Sequence, residues 1–147
     1  FKRDMMIRLA KGTEGRELTY LWLNVSTFSN PFIKAGFWQQ RANAVEHNYL
    51  RTSVTYVAEE EGEIVGFISF VRKGFIGGIF VAQKQQGKGI GTLLLALAKK
   101  MFATLELDVY VKNKAALAFY KQQDFFPVMV YAGEETGEER FRMRWDR

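Results

Sequence analysis

The chain has 147 residues, of which 48% are hydrophobic, and its 21 Lys and Arg against 16 Asp and Glu give a net charge of +5. This length and apolar content predict a single domain over residues 1–147 with a substantial core. The absence of cysteine excludes disulfides, thiolate catalysis and zinc–thiolate sites and favours a cytoplasmic protein; with only one histidine, no metal is expected. No apolar run approaches the roughly 20 residues of a membrane-spanning helix, so no membrane insertion is expected.

The first half of the chain predicts one strand, two helices and three further strands. A strand is predicted over residues 5–10. Apolar residues then recur at helical spacing in two segments. The first has Leu18, Leu21, Trp22, Val25 and Phe28 on one face, and the second has Trp38, Ala42, Val45 and Tyr49. Strands are predicted over 53–60, 63–71 and 74–82, and Glu61-Gly62 between the first two indicates a hairpin turn.

A glycine-rich turn leads from the last of these strands into a helix over 89–102. Gly87, Gly89 and Gly91 alternate at the helix start. Glycine there lets backbone N–H groups converge without a Cβ atom in the way, and the helix dipole adds positive potential. The P-loop and dinucleotide patterns both fail, because they require glycine where the chain has Ala82 and Thr92. The turn is either a pyrophosphate-binding loop or an ordinary strand-to-helix connection.

The predicted inward face of that helix carries Leu93, Leu94, Leu97 and Met101. A second motif follows the helix. A strand over 105–111 ends before Asn113, a good helix N-cap, and a short helix follows. The segment reads Asn-x-x-Ala-x-x-Phe-Tyr, with the four defined residues being Asn113, Ala116, Phe119 and Tyr120. Two last strands are predicted over 125–131 and 138–145.

The two motifs, in this order, resemble the coenzyme A segments of the GCN5-related N-acetyltransferase (GNAT) family. The first reads Gln-x-x-Gly-x-Gly over 86–91, and the second begins at Asn113. The predicted element order βααβββαβαββ, a mixed α/β sheet, is similar to the acetyltransferase fold from end to end. Segment 22–38 is also similar to small bacterial members that acetylate protein lysine.

This resemblance implies transfer of an acetyl group from acetyl-coenzyme A (acetyl-CoA) to a primary amine, such as a small-molecule amine or a protein lysine, by direct displacement. Backbone groups of Phe80 and Val81 would bind the pantetheine and the thioester, and the glycine turn would bind the pyrophosphate. The implied cofactor-binding residues are Phe80, Val81, Gln86, Gly87, Lys88, Gly89, Ile90, Gly91, Thr92, Asn113, Ala116 and Phe119.

Tyr120 occupies the position of the family's general acid. A phenol has a pKa of about 10, close to that of a departing alkyl thiol, so it is a suitable proton donor. Many members carry a glutamate four residues before the Val81 position, but here the segment reads Gly77-Gly78-Ile79. The base could be a water held by backbone groups or a side chain from elsewhere in the chain. No motif supports any of the candidate side chains, so no base is assigned; these candidates are Glu46, His47, Glu59 and Glu60. Asp124 stands where members carry glycine, and we expect it to adopt the same left-handed backbone.

The acceptor amine is expected between segment 26–38 and the last hairpin. Four phenylalanines could form an apolar slot there for an aliphatic chain, although core packing is the better explanation for any single one of them. They are Phe28, Phe32, Phe37 and Phe70.

Two other functions are compatible with the sequence. An acetyl-CoA sensor without transferase activity would explain the missing glutamate. A nucleic-acid binder could use the arginines that alternate over 140–147, but alternation favours one solvated strand face, and no nucleic-acid partner is expected. The terminal strands could also pair between chains in a homodimer.

Overall fold

Seven strands form one mixed sheet in the computed structural model, which describes residues 5–147. The strands are β1 (Met5–Leu9), β2 (Val54–Glu60), β3 (Glu63–Arg72), β4 (Phe75–Val81), β5 (Thr104–Tyr110), β6 (Phe126–Ala132) and β7 (Glu139–Asp146). Their order across the sheet is β1-β2-β3-β4-β5-β7-β6. Neighbours are antiparallel except β4 and β5, which run parallel. The predicted mixed α/β class is therefore confirmed.

The helices follow the predicted order. They are α1 (Gly15–Ser29), α2 (Ala35–Ala44), α3 (Leu50–Thr52), α4 (Ile90–Met101) and α5 (Lys114–Gln122). A π-helical turn at Val45–Tyr49 joins α2 to α3, so the second predicted helix is one segment with a local distortion. Among the described residues, no helix combines the length and the apolar run that crossing a bilayer would require.

The core lies in two layers, one on each face of the sheet. Helices α1 and α2 cover one face, where Trp22, Trp38 and Phe67 are buried. Helices α4 and α5 cover the other, where Ile68 and Leu94 are buried. Successive side chains of a strand point to opposite faces, so Phe67 and Ile68 of β3 contribute to different layers.

Two predicted helix faces need correction. Phe28 is 60% exposed because the buried face of α1 is centred on Leu18, Trp22 and Val25, which turns Phe28 away from the sheet. Leu93 and Met101 are also exposed. The buried face of α4 consists of Ile90, Leu94, Leu95 and Ala98, so Leu93 lies to one side of it and Met101 ends the helix.

Positive backbone φ angles support two turn predictions. Glu61 and Gly62 have φ values of 52° and 83° in the β2–β3 hairpin, as a type I′ turn requires. Asp124 has a φ of 71°, so it adopts the predicted left-handed conformation.

The parallel strands β4 and β5 pair only briefly. Their register contains Phe75 opposite Glu106 and Ile76 opposite Leu107, and nothing beyond. At Gly77 the register of β4 against β3 also shifts, as in a β-bulge. Past this point β4 and β5 diverge and leave an opening in the sheet.

Candidate active site

A cleft of about 620 Å³ lies where β4 and β5 diverge. Its walls come from both motifs and from the α1–α2 layer, and this volume is typical of small-molecule sites. Phe80 and Val81 line it from β4, and Tyr120 lines it from α5. The cleft therefore brings together residues of both sequence motifs.

The glycine turn opens onto the cleft at the start of α4. Gly87 and Gly89 have φ values of 82° and 87°, which only glycine adopts without strain. A Cβ atom at either position would meet no heavy atom within 4 Å, so the surface above the turn is open. The first α4 N–H groups have no carbonyl partner one turn back within the helix, so they remain available to an anion.

Gly91 joins the two motifs. A Cβ atom there would lie 3.4 Å from the ring of Phe119, an ordinary van der Waals distance, so the start of α4 lies directly against α5. Phe119 and Ala116 both line the cleft. The two motifs, separate in sequence, thus form one wall.

The other residues predicted for the turn differ in whether they face the cleft. The Gln86 Nε2 donates to the Val81 carbonyl at 2.9 Å, which holds the turn against the end of β4. Ile90 is buried and lines the cleft. Lys88 and Thr92 are exposed beside the turn and do not line the cleft.

Asn113 links the second motif to α1. Its Oδ1 accepts from the Ala116 N–H at 3.2 Å, which confirms the predicted N-cap. Its Nδ2 donates to Asn30 Oδ1 at 3.2 Å, and buried Asn30 donates to the Ser26 carbonyl at the end of α1. Sequence reasoning missed Asn30, because a polar residue after a helix is ordinarily part of a loop.

Tyr120 is 8% exposed and packs against the rings of Phe119 and Phe125, at centroid distances of 5.3 and 5.8 Å. Its hydroxyl makes no hydrogen bond to another residue of the described chain. Burial raises the pKa of Tyr120 well above that of an ordinary phenol. The group therefore stays protonated throughout the physiological range.

The four phenylalanines predicted for the acceptor site do not form one slot. Phe32 and Phe37 lie in the α1–α2 layer, with Phe32 against Tyr110 and Phe37 against Trp38. Phe70 is buried on the opposite face of the sheet, since it alternates with Phe67 along β3, and Phe28 faces outward. The cleft's aromatic lining on the α1–α2 side is instead Trp22, Trp38, Phe75, Phe80 and Tyr110.

The carboxylates considered as bases lie outside the cleft. Glu59 Oε1 accepts a hydrogen bond from Arg8 Nε at 2.8 Å. Glu46 lies beside His47 and lines a separate groove, to which α1 also contributes. Glu60 pairs with β1 at the far edge of the sheet. None of the bases considered from the sequence therefore reaches the site.

Asp108 is the one carboxylate that lines the cleft within residues 5–147. Arg142 donates to it at 2.8 and 3.2 Å, and the Tyr131 hydroxyl donates at 2.6 Å. Burial alone would raise its pKa, but these donors outweigh that effect and hold the pKa of Asp108 below its ordinary value. It is a stable carboxylate and a weak base.

Steric crowding explains why position 77 carries glycine. A Cβ atom there would overlap the hydroxyl of Tyr49, which hydrogen-bonds Ser69, and would approach Val71 to 2.8 Å. Tyr49 is largely buried, and this raises its pKa. The chain therefore has no room for a glutamate at this position, and sequence patterns could not show that Tyr49 occupies the space.

Comparison with known proteins identifies the family. The profile of the acetyltransferase (GNAT) family matches residues 18–125. This chain belongs to the GNAT family of acetyltransferases. It is 36% identical over 140 residues to peptidyl-lysine N-acetyltransferase YiaC of Escherichia coli strain K12, across 95% of this chain and 96% of YiaC.

Solved structures agree on the GNAT fold. The solution structure of apo YjaB from Escherichia coli has a TM-score of 0.85 at 22% identity, covering 96% of this chain and 97% of YjaB. YncA from Salmonella typhimurium, solved with acetyl-CoA, has a TM-score of 0.68 at 18% identity and covers 97% of this chain and 93% of YncA.

A GNAT acetyltransferase takes its acetyl group from acetyl-CoA. The cleft suits that long anionic molecule, since an open glycine turn with available N–H groups adjoins a gap between two strands. Among the described residues, no three His, Asp or Glu side chains lie close enough to hold a metal ion.

Proposed function

We propose that this GNAT acetyltransferase acetylates the side-chain amine of peptidyl lysine by direct displacement, with Tyr120 as proton donor. The observation that carries the proposal is the shared cleft, in which the diverging β4, the glycine turn and Tyr120 meet. The lysine acceptor is supported by the 36% identity to a peptidyl-lysine N-acetyltransferase.

The strand β4 supplies the donor site. Beyond Ile76 it has no β5 partner, so its backbone groups on that side are available to amides of an extended ligand. Phe80 and Val81 lie in this part of the strand and line the cleft. A backbone N–H directed at the thioester oxygen would stabilise the developing oxyanion, and loss of one such donor costs about 3 kcal/mol in other enzymes.

Acetyl-CoA supplies the activated acetyl thioester. The neutral amine attacks the carbonyl carbon, the C–N bond forms and the C–S bond breaks, and Tyr120 donates its proton to the departing sulfur. Its raised pKa keeps the proton on the phenol until negative charge develops on that sulfur. The proton that the amine loses passes to solvent, and solvent in turn reprotonates Tyr120, since the cleft carboxylate Asp108 is held by Arg142 and does not act as the base.

A kinetic assay tests this proposal. Thiol release and mass-spectrometric detection of acetyl-lysine should both require a lysine peptide. Tyr120→Phe should lower kcat by about 10²- to 10⁴-fold and leave acetyl-CoA affinity nearly unchanged. Tyr56→Phe is the matched control, because Tyr56 packs on the α4 side of the sheet, outside the cleft. Wild-type turnover in Tyr120→Phe would remove this residue from the mechanism.

Without a carboxylate base, the reaction rate should follow the free-amine fraction. We expect log kcat/KM to rise with a slope of one up to the pKa of lysine, about 10.4. A plateau near neutral pH would instead reveal a base within the protein.

A second candidate function is an acetyl-CoA sensor without transferase activity. It is favoured by the steric exclusion of a glutamate at Gly77. The sensor predicts a large thermal shift with acetyl-CoA and no thiol release with any amine.

Three further expectations remain predictions. The edge strand β6 exposes four apolar side chains, which supports homodimer formation; they are Phe126, Val128, Met129 and Val130. Sedimentation velocity across a range of protein concentrations tests whether the chain forms a dimer. Pairing of Arg142 with Asp108 and of Arg144 with Glu106 supports the expected absence of nucleic-acid binding. A cytoplasmic location rests on the lack of cysteine.

A further inference from the structure

Strands β5 and β7 face each other in three polar pairs on the α1–α2 side of the sheet. Glu106 lies opposite Arg144, and Asp108 lies opposite Arg142. Both are ion pairs, with N–O distances of 3.3 and 2.8 Å. The third pair breaks this pattern, because Arg140 lies opposite Tyr110, which carries no charge at neutral pH.

Arg140 has no anionic partner among the described residues. It lines the cleft, and its Nε is buried there without a hydrogen-bond acceptor. The guanidinium carbon lies 5.7 Å from the ring centre of Tyr110 and 4.9 Å from that of Tyr131. Rings hold the group in place but do not satisfy its N–H donors, and buried donors normally have partners.

The carboxylates around Arg140 already have cationic partners. Asp108 accepts from Arg142 and from Tyr131. On the β6–β7 hairpin, Glu135 pairs with Arg41 of α2 at 3.3 Å, and Glu138 pairs with Lys112 at 3.2 Å. Arg140 is close enough to Asp108 to help lower the pKa of that carboxyl, but it forms no ion pair of its own among the described residues, so it adds a net positive charge to the cleft wall.

This charge lies on the side of the cleft predicted for the acceptor, between segment 26–38 and the last hairpin. Tyr110 contacts Phe32 and Trp38 in the α1–α2 layer, and the Arg41–Glu135 pair joins α2 to the β6–β7 hairpin. The glycine turn follows β4 on the other side of the opening. A lysine ammonium would be repelled by Arg140, whereas a carboxylate would satisfy its donors in a bidentate pair.

We infer that Arg140 binds a carboxylate of the acceptor, so that the preferred substrate carries a carboxylate close to its reactive amine. This inference rests on the proposed transferase function. An acidic side chain beside a peptide lysine and the α-carboxylate of a free amino acid have the same chemistry, and the test below distinguishes them.

The test measures kcat/KM for two matched acceptor pairs. One pair is a lysine peptide with Asp or Asn next to the lysine, and the other is free lysine and lysinamide. In at least one pair the wild type should prefer the carboxylate acceptor by about tenfold. Preference in the peptide pair identifies a flanking acidic side chain, and preference in the lysine pair identifies an α-carboxylate.

Variants of the two arginines test whether Arg140 causes this preference. Arg140→Gln should reduce the preference to near one, mainly through KM, and Arg140→Lys should retain part of it. Arg144→Gln is the control, because it removes the same group from a pair that does not line the cleft, and it should keep the full preference. If the wild type has the same kcat/KM for both members of each acceptor pair, the inference is overturned and the proposed function stands. This comparison needs no variant.

Two other results are also decisive. If Arg140→Gln weakens acetyl-CoA binding as strongly as it weakens acceptor use, Arg140 belongs to the donor site and the inference fails. If the wild type releases no thiol with any acceptor, the proposed function fails and the inference fails with it.

Discussion

Replacement of Gly87 by alanine tests whether the turn at the start of α4 binds the diphosphate through its backbone. Gly87 has a φ of 82°, and a Cβ atom there would meet nothing within 4 Å. The hairpin residue Gly62 is a close match, with a φ of 83° and equally open surroundings, but it lies outside the cleft. The two substitutions therefore impose the same backbone strain at different places.

Both variants should lose stability to a similar extent. A left-handed backbone costs an L-residue about 1–2 kcal/mol. For a chain of this size that corresponds to a decrease in Tm of about 2–8 °C. Differential scanning fluorimetry without ligand should show this decrease in Gly87→Ala and in Gly62→Ala alike.

Only Gly87→Ala should lose acetyl-CoA affinity. The new Cβ atom would project into the open space above the turn and shift the neighbouring N–H groups. Loss of one hydrogen bond to a charged phosphate oxygen, worth about 1.5–3 kcal/mol, raises Kd by about 10- to 150-fold. Isothermal titration calorimetry measures this value. Equal affinities in the two variants would refute backbone recognition at this turn.

Three further predictions concern the cleft walls. Gly77→Ala should lower the free energy of unfolding by about 1–3 kcal/mol, because the new Cβ atom overlaps Tyr49, and adding Tyr49→Phe should recover part of that loss. If urea unfolding shows the double variant to be no more stable than Gly77→Ala, the contact is contradicted. Asp108 has a lowered pKa, so its contribution to stability is present above the unfolded pKa of about 3.9 and is lost as the pH falls below it. Asp108→Asn should therefore lose less stability on acidification than the wild type, and an equal loss would show that the ion pair contributes nothing. Tyr120 has a raised pKa, so the unfolded chain ionises first and stability should fall above about pH 10; urea titrations should show a smaller fall in Tyr120→Phe, and an identical one would contradict the burial effect.

Local signals explain why much of this fold could be predicted. Helical spacing of apolar residues, the Glu61-Gly62 hairpin and the Asn113 N-cap depend on neighbours within one or two turns of chain. The glycine turn and the left-handed Asp124 are local in the same sense, because backbone geometry alone restricts the residues allowed there. The element order and the coenzyme A motifs followed from these patterns.

The acceptor side of the cleft could not be predicted in this way. Phe70 and Phe32 looked equivalent in sequence, but the alternation of β3 puts Phe70 on the far face of the sheet. The hydroxyl of Tyr49 excludes a side chain at Gly77, 28 positions further along the chain, and local patterns carry no information about such contacts.

The amino-acid sequence by itself determined the family, the donor motifs and the order of the elements, because each depends on short stretches of chain with restricted geometry. Only the tertiary structure decided which side chains line the cleft wall that we propose for the acceptor. The register of β5 against β7 pairs Arg142 with Asp108 and leaves Arg140 opposite Tyr110 without a carboxylate. Strand register is set by the packing of the whole sheet, so the charge at that wall is a property of the folded chain.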